Sequence, residues 1–115
     1  MVEEPPFPVF SLLGEWRIHW DMGAAWNLYI EEQEGYVFYG YLRPDSTMEY
    51  YYQVMGGVYV GYDNFGFSCR DINMIYNFQC IMEPSLIKFI GICRLYDYNG
   101  LELGYGADFY AVKVG

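Results

Sequence analysis

The chain has 115 residues, of which 54% are hydrophobic and 22% aromatic, so it is long enough to bury one core and too short for two domains. Its 15 acidic and 6 basic side chains give a net charge of −9, which disfavours direct binding to nucleic acid and to anionic membranes. The same charge is suited to solubility or to the attraction of a basic protein.

A proline-rich N-terminal arm, MVEEPPFPVF at residues 1–10, precedes a single predicted β-barrel domain at residues 11–115. The arm lacks the basic start and apolar run of a signal peptide, and no stretch approaches the roughly 18 apolar residues of a membrane span. Three cysteines without a CxxC pair indicate neither a disulfide framework nor a zinc site, and their odd number favours a reducing compartment. We therefore expect a cytoplasmic protein that is not bound to a membrane.

From Gly14 onward the sequence alternates apolar and polar residues with a period of two, which is the pattern of strands with one buried face. The clearest case is EWRIHWD, where Trp16, Ile18 and Trp20 share a face. The further predicted strands are WNLYIEE, YVFYGYLR, MEYYYQV, VYVGY, FGFSCR, NMIYNFQCIM, LIKFIGICRLY and ADFYAVKV. The predicted turns are MGAA, EEQEG, PDST, Gly56-Gly57, Asp63-Asn64, EPS and Asn99-Gly100.

These short turns favour antiparallel neighbours, so the predicted fold class is all-β, a single antiparallel meander of about eight strands. We expect the meander to close into a small barrel, because closure removes the unpaired edges of the sheet. A barrel of that size has an interior that side chains fill or that holds one small ligand. A β-sandwich is the alternative.

Gly14-Glu15-Trp16 forms a G-x-W motif on the first strand of this predicted barrel. The motif resembles that of the calycin superfamily, which includes the lipocalins and avidins. In that superfamily the tryptophan plugs the closed end of the barrel, and a basic side chain of the last strand lies across its ring. The resemblance implies a structural plug of Gly14, Trp16 and Lys113, provided that Lys113 faces inward; the other face of FYAVKV is equally apolar. The avidin set of biotin contacts is missing, so biotin binding is not implied.

Five aromatic residues form the candidate ligand-binding site: Trp20, Trp26, Tyr50, Tyr52 and Tyr76. Trp20 lies roughly 13 Å beyond Trp16 on the same strand face, and Trp26 starts the returning strand, so both are expected near the open end. With the tyrosines facing inward, the five would make an aromatic pocket for a small apolar or aromatic molecule. Small residues that would leave room are Gly40, Gly61, Gly91 and Ala111. The alternative is that the rings simply fill the barrel.

A second candidate site is a partner surface of Glu31, Glu32, Glu34, Tyr39 and Tyr51. The glutamates are expected at an acidic hairpin tip, where they are either solvated or attract a basic partner. The tyrosines are expected to be exposed because neighbours in a strand point to opposite faces. Exposed tyrosines are typical of protein interfaces, so this surface fits a partner protein or a homodimer equally.

The sequence contains no motif that indicates catalysis. His19 is the only histidine and is predicted to face outward, and no nucleophile motif is present. We therefore expect no enzyme activity, no cofactor and no metal site. The first hypothesis is a lipocalin-like barrel that binds a small ligand. The alternative is an acidic inhibitor, immunity or phage anti-defence protein that binds a basic, nucleic-acid-handling protein; a barrel enzyme is the least favoured.

Overall fold

The structure is a computed structural model that describes residues 10–21, 23–44, 51–58, 63–70 and 74–114. In these residues the strands, in chain order, are β1 Gly14–Trp20, β2 Ala25–Glu34, β3 Val37–Pro44, β4 Tyr52–Val58, β5 Asn64–Arg70, β6 Ile75–Met82, β7 Lys88–Tyr96 and β8 Glu102–Val114. Each strand pairs antiparallel with the next, and β8 pairs with β1, so the sheet is a closed barrel. The predicted all-β meander and its closure are confirmed, and the sandwich alternative is wrong.

The buried face of each strand follows the alternation in the sequence. In β1 the buried residues are Trp16, Ile18 and Trp20, as predicted. In β6 the buried residues are Phe78, Cys80 and Met82. These side chains join one hydrophobic core that runs through the barrel. Within the described residues, no helix is long and apolar enough to cross a membrane.

One predicted turn is wrong, because Gly56 and Gly57 lie inside β4 instead of between two strands. A Cβ atom on Gly56 would lie 2.5 Å from Phe38 Cζ and 2.6 Å from Phe67 Cβ. The glycine therefore lets two aromatic side chains press against the backbone of a continuous strand. Residues 59–62, where the next strand was predicted to continue, lie outside the described residues.

The acidic segment EEQEG is also not the predicted turn, because β2 continues through Glu34 and the chain reverses at Gly35 and Tyr36. Gly35 has a φ of +61°, a conformation that glycine adopts without strain. A register shift between Ile30 and Glu32 places a β-bulge in this strand. The glutamates are thus strand residues beside a bulge, and the hairpin tip itself carries no acid.

The closed end of the barrel is the end where β1 begins, and residues 10–13 cover it. Phe10 and Leu12 are buried, and the Phe10 ring meets the Phe65 ring edge-on at 5.6 Å. Gln33 Oε1 accepts a hydrogen bond from the Leu12 amide at 2.7 Å, and Gln33 Nε2 donates one to the Phe10 carbonyl at 2.8 Å. The last residue of the predicted arm is therefore part of the core, and residues 1–9 lie outside the described residues.

Candidate functional site

The end of the barrel opposite the closed end is formed by aromatic side chains. Among the described residues, four half-buried hydrophobic residues pack against the core, and all four lie at this end: Trp26, Tyr52, Tyr76 and Leu95. Trp20, the last residue of β1, lies beside them and is only 8% exposed. We call Trp20 and these four residues the mouth. The mouth contrasts with the closed end, where Phe10 and Leu12 are fully covered.

The mouth contains four of the five residues predicted to bind a ligand. Trp20 and Trp26 meet edge-on with ring centroids 5.1 Å apart. Tyr52 and Tyr76 face each other at 6.1 Å with a tilt of 30°. The fifth residue, Tyr50, lies outside the described residues. The four residues thus form two aromatic pairs, one from β1 and β2 and the other from β4 and β6.

The interior below the mouth is filled with rings. Phe109 meets Trp20 at 5.2 Å, and Phe78 meets Trp20 at 5.8 Å. A Cβ atom on Gly91 would lie 2.6 Å from Phe109 Cζ, so the space that this glycine leaves is taken by a ring. Gly40 likewise opens no cavity, because a Cβ atom there would clash with the carbonyl oxygen of Tyr29. A ligand would therefore bind at the mouth, above a packed floor.

The two buried indoles differ in their hydrogen bonding. Trp16 Nε1 donates a hydrogen bond of 2.8 Å to the Leu12 carbonyl. Trp20 Nε1 is buried and has no partner. A buried N–H group without a hydrogen bond costs about 1–3 kcal/mol, so the Trp20 indole is an unusual feature of an otherwise apolar cluster.

At the closed end the structure brings together the three residues of the implied plug. Trp16 is fully buried, and Lys113 Nζ lies 5.8 Å from the centroid of its ring. The two residues are cross-strand partners on β1 and β8. Gly14 starts β1 with a φ of +116°, a conformation that residues with a side chain rarely adopt. Phe109 and Ala111 are buried, so the inward face of β8 is the one that contains Lys113.

The predicted partner surface forms part of a groove of about 530 Å³ on the outside of the barrel, which we call the tyrosine groove. Four of the five predicted residues line it: Glu31, Glu32, Tyr39 and Tyr51. Its remaining lining residues are Gly40, Tyr41, Arg43 and Gln53. The fifth predicted residue, Glu34, is exposed at the end of β2 but does not line the groove.

Stacked rings give the tyrosine groove its wall. Tyr41 stacks on Tyr29 at 4.7 Å with an interplanar angle of 22°, and it meets Tyr51 at 5.1 Å. Tyr51 is 54% exposed, so its ring is presented to solvent. Burial, together with a hydrogen bond to Glu15, raises the pKa of Tyr29. Arg43 Nε is buried and has no hydrogen-bond partner.

A larger outer groove, of about 1060 Å³, was not predicted from the sequence. Exposed apolar side chains of β4, β6 and β7 line it: Met55, Ile81 and Ile90. Gly57 and Gly66 are cross-strand partners in the same groove. The signal for it is present in the sequence, since apolar residues and glycines occupy the face of these strands that alternation assigns to solvent.

Two of the three cysteine thiols lie in buried surroundings that oppose their ionisation. Burial raises the pKa of Cys93 to about 12 and also raises the pKa of Cys80 well above its ordinary value, so both thiols stay protonated. His19 is half-buried on the outer face and stacks on Tyr110 at 4.8 Å. Among the described residues, no three His, Cys, Asp or Glu side chains are grouped so that they could hold a metal ion.

No protein-family model matches this sequence, and no curated protein matches it. The mouth and the outer surface are therefore the features that bear on function.

Proposed function

We propose that the protein is a non-enzymatic, lipocalin-like binding protein that holds a small apolar or aromatic molecule at the mouth of its barrel. The observation that carries the proposal is the difference between the two ends. One end is covered by Phe10 and Leu12, whereas the other presents half-buried rings of Trp26, Tyr52 and Tyr76. A cluster of rings that is only partly covered gains further burial when a flat apolar molecule lies on it.

The proposal includes a distant relationship to the calycins, supported by the G-x-W motif, the closed antiparallel barrel and the lysine over the tryptophan ring. It also includes a cytoplasmic location, supported by three buried cysteines that form no disulfide: Cys69, Cys80 and Cys93. The absence of enzyme activity is supported by the protonated thiols of Cys80 and Cys93.

Native mass spectrometry on protein purified from its own host tests the proposal. We expect a small excess mass that disappears when the same sample is denatured. A Trp26→Ala variant should lose this mass, because Trp26 is the half-buried ring of the tryptophan pair. Tyr98→Ala is the matched control, since Tyr98 is exposed in the turn between β7 and β8. A bare protein whose tryptophan fluorescence is unchanged by planar aromatic probes would contradict the proposal.

A second candidate function is supported by the tyrosine groove. In this reading the protein is an acidic inhibitor, immunity or phage anti-defence protein that binds a basic protein. The groove joins Glu31 and Glu32 to the exposed rings of Tyr39 and Tyr51 in one concave surface. With a net charge of −9, the chain would attract a basic partner, and tyrosines supply contact area with little loss of side-chain entropy.

A double variant, Tyr39→Ser with Tyr51→Ser, separates the second candidate from the first. If the groove binds a basic protein, the variant should lose a complex that the unchanged protein forms with a purified basic partner, and added salt should weaken that complex. Tyr98→Ser is again the control, because it removes an exposed tyrosine elsewhere. A mass of two chains that rises with concentration in the unchanged protein and is lost in the double variant would instead show that this face joins two copies.

A further inference from the structure

We infer that the molecule held at the mouth is a planar, uncharged compound with a hydrogen-bond acceptor, and that this acceptor binds the indole N–H of Trp20. The inference deepens the proposed function and rests on it. It names the chemistry of the ligand, which the hydrophobic character of the mouth alone does not.

Trp20 carries an unpaired hydrogen-bond donor. Trp20 is 8% exposed, and its Nε1 atom is buried without a partner. The other buried indole, that of Trp16, donates its hydrogen bond to a main-chain carbonyl. Because proteins satisfy nearly all buried donors, the exception at the mouth marks a place where a bound acceptor would restore the missing hydrogen bond.

The surroundings of Trp20 define the rest of the ligand. Its ring contacts are with Trp26 at 5.1 Å, Phe109 at 5.2 Å and Phe78 at 5.8 Å. These neighbours offer faces and edges of rings, so a flat ligand with aromatic or similar surface fits them. A charged acceptor is disfavoured, because none of these neighbours could pair with a charge and burial of an unpaired charge is costly. A carbonyl oxygen or a neutral ring nitrogen meets both requirements.

Access to the donor requires a movement at the mouth. Trp26 is half-buried, is the second residue of β2, and stands edge-on against Trp20 at an angle of 72°. A rotation of this half-buried side chain would open one side of the Trp20 indole to a ligand. Trp20 also packs against the buried rings of Phe109 and Phe78, so it serves as the fixed donor and Trp26 as the ring that moves.

Two probes of the same shape test the inference. Quinoline and naphthalene are both flat two-ring molecules, but only quinoline has a neutral nitrogen acceptor. In a proton–nitrogen correlation spectrum, the indole N–H signals of the tryptophans are assigned with single Trp→Phe variants. We expect quinoline to move the Trp20 signal downfield, as hydrogen bonding does. The Trp16 signal is an internal control that should not move, since its donor is already bonded to Leu12.

Affinity gives the second measurement. One hydrogen bond with a net value of about 1 kcal/mol corresponds to about fivefold tighter binding, so quinoline should bind about fivefold tighter than naphthalene. In Trp20→Phe, which retains a ring but has no donor, the two probes should bind equally. The spectrum of the unchanged protein keeps the inference testable if this variant does not fold.

The outcomes separate the inference from the proposed function. Equal binding of both probes to the unchanged protein, with no downfield movement of the Trp20 signal, would overturn the inference and leave the proposed function standing. Binding of neither probe, with no change at any tryptophan signal, would count against the proposed function and overturn the inference with it.

Discussion

Lys113 lies directly in front of Gly14: a Cβ atom on that glycine would stand 3.5 Å from Lys113 Cε. A distance of 3.5 Å is an ordinary van der Waals contact, so the lysine does not exclude a small side chain at position 14. The backbone excludes a side chain at this position, because Gly14 has a φ of +116°, which only glycine adopts without strain. The glycine of the G-x-W motif is thus required by the backbone, whereas Lys113 is placed for its contact with the Trp16 ring at 5.8 Å.

Gly14→Ala should therefore lower the free energy of unfolding by about 1–3 kcal/mol, the cost of holding a side chain in a strained conformation. Urea denaturation of the variant measures the loss. The same substitution in a Lys113→Ala background should cost an equal amount, because the strain does not come from the lysine. A cost that disappears in that background would show that crowding, and not φ, excludes alanine.

Lys113→Met should reduce stability by about 0.5–2 kcal/mol, because it removes a cation from the face of a fully buried indole. Lys88→Met is the matched control: Lys88 Nζ lies 5.2 Å from the Tyr110 ring, but that ring is exposed. Water screens the pair of Lys88 and Tyr110, so Lys88→Met should lower the free energy of unfolding by less than Lys113→Met does. Equal losses in the two variants, measured by urea denaturation, would contradict this account of Lys113.

Gln33→Ala should release the segment that covers the closed end. The glutamine side chain bonds to the main chain of Phe10 and Leu12, and loss of these bonds leaves buried groups unsatisfied at about 1–3 kcal/mol. Hydrogen exchange of the Leu12 amide should become faster than exchange in the neighbouring strands. Gln79→Ala, an exposed glutamine on β6, should change neither stability nor exchange at Leu12. If the Leu12 amide in Gln33→Ala exchanged as slowly as in the unchanged protein, the Gln33 side chain would not be what holds this segment in place.

The buried thiol of Cys93 should make the protein less stable in alkali. Burial raises its pKa from the ordinary 9.0 to about 12. Between these values the folded chain keeps the proton and the unfolded chain releases it, so the free energy of unfolding falls as the pH rises from 9 towards 12. Below pH 9 the contribution is fully present.

Cys93→Val checks this dependence, since it removes the thiol and leaves the tyrosines unchanged. Urea denaturation at a series of pH values above 9 measures the free energy of unfolding. Its decline with pH should be shallower in the variant than in the unchanged protein. Parallel pH profiles would mean that the Cys93 thiol already ionises freely in the folded chain.

Alternation in the sequence was sufficient to predict the barrel and the buried face of β1, but it left the facing of β8 open because both faces of FYAVKV are apolar. The buried set of Trp16, Ile18 and Trp20 was read directly from EWRIHWD, and the turn at Asn99-Gly100 was read from its residue types. In that turn Asp97 Oδ1 accepts hydrogen bonds from the amides of Asn99 and Leu101. The period of the apolar residues and the residue types of a turn are local properties, so both can be recognised in a single sequence.

The features that the sequence did not predict depend on contacts between distant segments. Gly56 was taken for a turn residue because the groups that leave no room for a Cβ atom there, the side chains of Phe38 and Phe67 and the carbonyl of Gly66, come from two other strands. The β-bulge at Ile30 and Glu32 depends on the register between β2 and β3, and beside it Glu31 and Glu32 line a groove and do not form a hairpin tip. Neither contact can be recognised from the residues that surround it in the sequence.

The pairing of β1 with β8 has a consequence for how the chain folds. Within the described residues, this is the single ladder that does not join consecutive strands, and it pairs Glu15 with Val114. Every other ladder is a hairpin, which can form early because its two strands are close in sequence. Closure of the barrel must instead bring together the two most distant strands, at the largest loss of chain entropy. The β1–β8 seam is therefore where the folding barrier is expected to lie.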